Sequence, residues 1–114
     1  MVYTITLNPA LDYTISIKQL ILNEINTSES EEILPGGKGI NVSIILKRLG
    51  IDTVTLGFIS GFTGEEIKRL IENEKIKTDF IKIKNGNSRI NVKILEEKRE
   101  TAINSCGPFL ENEY

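Results

Sequence analysis

The chain has no histidine and a single cysteine, Cys106, in 114 residues. Without imidazole the usual general base at neutral pH is missing, and with it the Ser-His and Cys-His nucleophile pairs and nearly all zinc sites. One thiol permits no intrachain disulfide, which makes a cytoplasmic setting the economical expectation. Cys106 itself reads as a small buried or half-exposed filler, since nothing is present to activate it. No apolar run approaches membrane-spanning length, and the amino terminus opens directly on a strand-like alternation without the basic-then-apolar pattern of a signal peptide, so no membrane partner is expected. Fourteen basic residues against sixteen acidic ones leave a net charge of −2, which gives no general attraction to nucleic acid. There is no internal repeat and no low-complexity linker. Chemistry must therefore run on carboxylates, Lys, Arg and backbone amides.

What is present is ordinary globular material, 39% hydrophobic and 26% charged, in a length that suits one small domain with a real core. Val2 to Leu7 alternates and is rich in β-branched and aromatic residues, the pattern of a strand stopped by Asn8-Pro9. Leu11 to Ile17 and Thr27 to Leu34 alternate again, the second with Ser and Glu at many positions, and read as strands with one wet face. From Ile40 the apolar residues Ile44, Ile45 and Leu49 recur at helical spacing up to a glycine stop at Gly50. Thr53 to Ile59 is a strand. Thr63 and Glu66 form a capping-box pattern ahead of the buried stripe Ile67, Leu70 and Ile71. Asp79 to Lys84 is a further strand. Arg89 to Leu95 and Thr101 to Asn104 form a hairpin around the charged tip Glu96 to Glu100, which reads as solvated. Strand, excursion, helix, strand, helix, strand is the order of right-handed crossovers in a parallel sheet, with extra strands set aside as a flap and an unpaired edge at the last core strand.

The most informative stretch is Pro35-Gly36-Gly37-Lys38-Gly39-Ile40-Asn41, a glycine-rich loop running straight into a helix. Glycines let backbone N–H groups approach a ligand, and the helix adds partial positive charge at its first turn. It is not a P-loop, because Gly39 follows Lys38 where Ser or Thr would be needed for magnesium, and it lacks the Rossmann spacing. In open parallel sheets ligands gather at strand carboxyl ends, where Asp12, this loop and the Gly61 to Gly64 turn would all lie. Asp12 can accept from two hydroxyls and Asn41 can donate and accept, while Lys38 and Arg89 are candidates for holding a phosphate. Each has a plainer alternative: a turn cap for Asp12, a helix-start hydrogen bond for Asn41, and a solvated strand face for Arg89.

Gly36-Gly37-Lys38-Gly39-Ile40-Asn41 through Leu49-Gly50 resembles the amino-terminal signature of the ribokinase-type sugar kinases, the phosphofructokinase-B family. Thr6-Leu7-Asn8-Pro9-Ala10-Leu11-Asp12, Gly61-Phe62-Thr63-Gly64, Ser88-Arg89-Ile90-Asn91-Val92-Lys93 and Thr101-Ala102-Ile103-Asn104 extend the resemblance over the whole chain, toward the branch holding 1-phosphofructokinase and tagatose-6-phosphate kinase. The resemblance implies an α/β fold: residues 1–114 as the amino-terminal part of one domain, a partial three-layer parallel sheet with helices plus a small β lid of strands near 11–17, 27–34 and 88–104. It further implies that Asp12, Gly36, Gly37 and Asn41 hold sugar hydroxyls, that Lys38 and Arg89 lie near the sugar's phosphate, and that the lid makes a homodimer contact. ATP and Mg2+ would serve the full-length parent and none would be bound by this piece, because the family's Gly-x-Gly-Asp stretch, which carries the base and the nucleotide site, does not occur here. On this reading the chain binds a sugar phosphate for a 1-phosphofructokinase, or for a tagatose-6-phosphate kinase, and is inactive alone; a stand-alone sugar- or anion-binding module is the other reading. One departure is Asn26-Thr27, where the branch commonly has Asn-Arg.

Overall fold

The computed structural model describes residues 1–108. The elements run β1 (Val2–Thr6), β2 (Ala10–Ser16), β3 (Ser30–Gly36), α1 (Lys38–Arg48), β4 (Thr53–Ser60), α2 (Gly61–Asn73), β5 (Lys77–Ile83), β6 (Arg89–Leu95) and β7 (Glu100–Ile103). They build two sheets. One is parallel, in the order β1-β4-β5; the other has four strands in the order β3-β2-β6-β7. The second is the lid. Its β2–β3 and β6–β7 pairs are antiparallel hairpins, joined by a parallel β2–β6 pairing in which Asp12 stands opposite Asn91 and Thr14 opposite Lys93.

The two crossovers of the parallel sheet step in the same direction, so both helices cover the same face. Alternation decides which residues they cover: Thr4 and Thr6 of β1 and Thr53, Thr55 and Ile59 of β4 are buried, and the intervening Tyr3 and Ile5 are each 64% exposed. The core is built from Leu11, Ile40, Ile67, Ile71 and Ile76, with Ile44, Leu70 and Phe80 packed against it. Four isoleucines, Ile40, Ile59, Ile67 and Ile71, are wholly buried, each stabilising the fold by about 1.5–3 kcal/mol before the entropy of ordering is counted. Under α1 the contact is polar: Thr4 Oγ1 and Ser43 Oγ lie 2.6 Å apart and Thr55 Oγ1 donates to Ser43 Oγ at 3.2 Å.

The end of α1 follows the sequence closely. Gly50 takes φ +83°, its N–H donates to Lys47 O at 3.0 Å and that of Ile51 to Leu46 O at 2.9 Å, the paired closure that needs a left-handed residue. The start of α2 does not. Ser60 occupies the N-cap position, so Thr63 and Glu66 form no capping box. Thr63 is buried and donates its hydroxyl to Ser88 O at 2.7 Å, while Glu66 forms an ion pair with Arg69. Tertiary pairing with the 85–88 turn has replaced the local motif.

Three further expectations change. β3 begins at Ser30 and runs on through Gly36, so the first glycine of the loop is a strand residue and the connection from β2 is longer than the alternation suggested. Cys106 is exposed. Within the β6–β7 tip, the Glu96 side chain is only 6% exposed. Its Oε2 accepts from Arg99 Nη2 at 2.8 Å and from the Leu20 N–H at 3.2 Å, tying the β2–β3 connection to the lid.

Two outcomes follow. The Arg99 hydrogen bond first, then the Leu20 N–H, holds the Glu96 carboxyl below the ordinary glutamate range; a group depressed in the folded state stabilises above its unfolded value and loses that contribution as pH falls through the folded one. Hydrogen exchange should therefore show the Leu20 amide losing protection below the ordinary glutamate range before the β4 amides do, and Glu96→Gln should remove that pH dependence. The uncovered face carrying Tyr3 and Ile5 is predicted to drive self-association of the isolated chain; a monodisperse monomer by light scattering would contradict this.

Candidate functional site

The site begins where α1 settles on β1. Gly37, the N-cap, has φ +136°, a conformation costly for any residue with a Cβ, and a Cβ there would run into the Thr6 methyl group. At Gly39 a Cβ would lie 2.6 Å from Ile5 O. Both positions keep the first turn of the helix flush against the strand, where Thr6 Oγ1 accepts from the Ile40 N–H at 3.0 Å. The helix start is thus capped from β1 and not by its own residues. Asn41 lies beyond the cap positions: its backbone N–H already makes the helical bond to Gly37 O at 2.9 Å, and its side chain is left for another use.

Gly36 has a different reason to be glycine. A Cβ there would stand 2.5 Å from Asp12 Cγ and overlap both carboxylate oxygens. Gly36 pairs with Ala10 across the β2–β3 ladder, so Asp12, two residues on, leans diagonally over its backbone. The carboxylate is also held from the other side. Asn91 Nδ2 donates to Asp12 Oδ1 at 3.3 Å, and Asn91 Oδ1 accepts from the Ser105 N–H at 3.2 Å. Because the carbonyl end of that amide is taken by an N–H, its NH2 end must face the carboxylate.

Asp12 and Asn41 line one hollow of about 540 Å³, together with Thr14, Leu34, Pro35, Asn91, Lys93, Glu100 and Asn104. One wall is the inner face of the lid, whose alternation presents Asp12 and Thr14 from β2, Asn91 and Lys93 from β6, and Glu100 and Ala102 from β7. Two carboxylates, three amides, a hydroxyl and an ammonium around a space of this size can exchange hydrogen bonds with several ligand hydroxyls at once.

The other residues singled out from sequence lie around this hollow and not in its lining. Lys38 is exposed at the first position of α1. Arg89 is half-buried and donates Nε to Asn8 O at 3.1 Å; it borders a neighbouring recess of about 370 Å³ with Phe62, Thr63, Ser88 and Ser105. The Gly61 to Gly64 turn is absorbed in packing: Gly64 is buried with Ile59 against it, and the helix start is bonded to Ser88. Asn91, Lys93 and Asn104 were missed, although the alternation that placed Arg89 on a strand also puts residues 91 and 93 on its face.

The dependence of Asp12 on Gly36 is directly measurable. Gly36→Ala is expected to leave far-UV circular dichroism unchanged, since the clash falls on a movable side chain, yet to shift the Asn91 side-chain amide resonance as far as Asp12→Ala does. An unmoved resonance would show that Gly36 does not set the carboxylate.

Residues 5–113 match the pfkB family carbohydrate kinase profile. The chain is 45% identical over its whole length to 1-phosphofructokinase of Borreliella burgdorferi, of which it spans 37%, and 38% identical over 97% of its length to tagatose-6-phosphate kinase of Staphylococcus epidermidis, of which it spans 36%. It superposes on phosphofructokinase-2 of Escherichia coli in complex with fructose-6-phosphate with a TM-score of 0.88 at 25% identity, over 98% of this chain and 37% of that one. The chain therefore spans little more than a third of the length of these relatives, and with its glycine junction, lid and parallel sheet it belongs to the pfkB family of carbohydrate kinases.

Proposed function

We propose that this chain is the sugar-phosphate-binding, amino-terminal portion of an ATP-dependent 1-phosphofructokinase, which converts fructose 1-phosphate to fructose 1,6-bisphosphate. The observation that carries the reading is the meeting of Asp12 and Asn41 at one hollow of sugar size, with the Asp12 carboxylate seated where Gly36 carries no Cβ. Asp12 accepts from ring or chain hydroxyls and Asn41 donates and accepts, while Gly36 and Gly37 act behind them, the first by leaving room for the Asp12 carboxylate and the second by seating the start of α1 against Thr6. Lys38, at the positive end of α1, and Arg89, two residues before Asn91 on β6, are assigned to the phosphate end, where a dianion needs cations to be bound without a large desolvation cost.

Phosphoryl transfer needs a base for the attacking hydroxyl and a surface for the magnesium nucleotide. ATP and Mg2+ are assigned to the remainder of a full-length parent. A homodimer through the lid is favoured by its outer face, where Ile33 is 53% and Ile103 is 60% exposed. Among the described residues no helix is long and apolar enough to cross a membrane; the assigned setting is cytoplasmic, with no nucleic-acid partner. A tagatose-6-phosphate kinase is the second reading, supported by the relative of that name.

Isothermal titration of the chain with fructose 1-phosphate should give saturable heat, and Asp12→Ala should weaken it about tenfold or more, the scale of a lost charge-assisted hydrogen bond. A coupled assay with fructose 1-phosphate and Mg-ATP should show no turnover by the chain alone. Absence of heat with fructose 1-phosphate and with tagatose 6-phosphate would overturn the binding assignment.

A further inference from the structure

Among the described residues that line the hollow, the one cation is Lys93. It stands on the same strand face as Asn91 and opposite Thr14 in the β2–β6 register, and Thr14 lines the same space. Two residues of strand separate Lys93 from Asn91, about 7 Å along the lid, so a ligand whose hydroxyls meet Asp12 and Asn41 extends toward this ammonium. Lys93 is not idle: its Nζ lies 3.3 Å from Glu100 Oε1, a residue of β7 that also lines the hollow, and both side chains are about half exposed.

We propose that Lys93 is the group that distinguishes a phosphorylated from an unphosphorylated sugar in this hollow, and that Glu100 is its resident anion, displaced when the sugar's phosphate enters. The inference rests on the sugar-phosphate reading above and adds to it a residue and an exchange. The physical argument is a competition. An exposed Lys–Glu pair biases its geometry by at most about fivefold. A phosphate dianion brings more charge and three acceptor oxygens to the same ammonium, with the Thr14 hydroxyl beside it as a further donor. Glu100 then has two effects in the empty state. It holds the Lys93 ammonium in an ion pair within the lining, and its own charge repels an entering anion. An unphosphorylated sugar cannot displace the carboxylate and gains nothing from Lys93. Lys38 and Arg89 bear on the phosphate from outside the lining, and Lys93 adds a cation within it.

Calorimetric titration of the 114-residue chain with fructose 1-phosphate and with unphosphorylated fructose tests this. Lys93→Gln should weaken fructose 1-phosphate about tenfold or more and leave fructose unchanged, and Lys93→Arg should restore most of the loss. Glu100→Gln should tighten fructose 1-phosphate about two- to fivefold, again without effect on fructose. Unaltered fructose 1-phosphate affinity in Lys93→Gln would sink this inference alone. So would weakening by Glu100→Gln as large as that of Lys93→Gln, because the pair would then be serving to hold the β6–β7 hairpin. No heat from the unsubstituted chain with fructose 1-phosphate would remove the sugar-phosphate reading, and this inference with it.

Discussion

The close approach of α1 to β1 is the constraint on which the rest of the site depends. It is made possible by missing atoms, since Gly37 and Gly39 leave room for Thr6 and for the Ile5 carbonyl. It is then held by hydroxyls: Thr6 caps the Ile40 N–H, and Ser43 sits between Thr4 and Thr55 in the buried layer beneath the helix. Each such bond contributes about 0.5–1.5 kcal/mol, and removing one partner would strand a buried polar group at greater cost. A helix set this low, directly after a strand that ends at Gly36, brings Asn41 to the carboxylate carried by β2.

The lid supplies everything else. Its four strands form a sheet separate from the parallel one, and β2 follows β1 after only Leu7 to Pro9. That short passage places Asp12 early in the lid, close to the glycine junction, while the β2–β6 pairing brings Asn91 to its side. The inner face is polar and the outer one apolar, a division that strand alternation imposes once the register is set. Glu96 anchors the far end by holding the Leu20 N–H, so a tip that reads as a solvated charge cluster is a joint between the hairpin and the β2–β3 connection.

The legible parts were those decided by local chemistry. An alternating strand from Val2 to Leu7 stopped by Asn8-Pro9, a helix closed by Gly50 and a hairpin around the 96–99 turn each carry their own signal within a few residues, and each stands within a residue or two of its expected place. The glycine loop was legible as a place of close approach. Thr63 misled because a capping pattern is only one of the bonds a hydroxyl can make; the 85–88 turn, some 25 residues away, offered a buried carbonyl instead. Arg89 was singled out for its fork of donors; its Nε donates to Asn8 O beside a neighbouring recess, and among the described residues that line the hollow the cation is Lys93.

By itself, then, the sequence determined the family, the order of elements and the residues able to contact hydroxyls, because glycine spacing, hydrophobic period and side-chain chemistry are properties of short stretches. Only the tertiary structure decided which of those residues share a space. That depends on the parallel register between β2 and β6, segments nearly eighty residues apart, and a shift of one position would have turned Asp12 toward Val92 or Ile90 and the opposite side of the lid from Asn91 and Lys93.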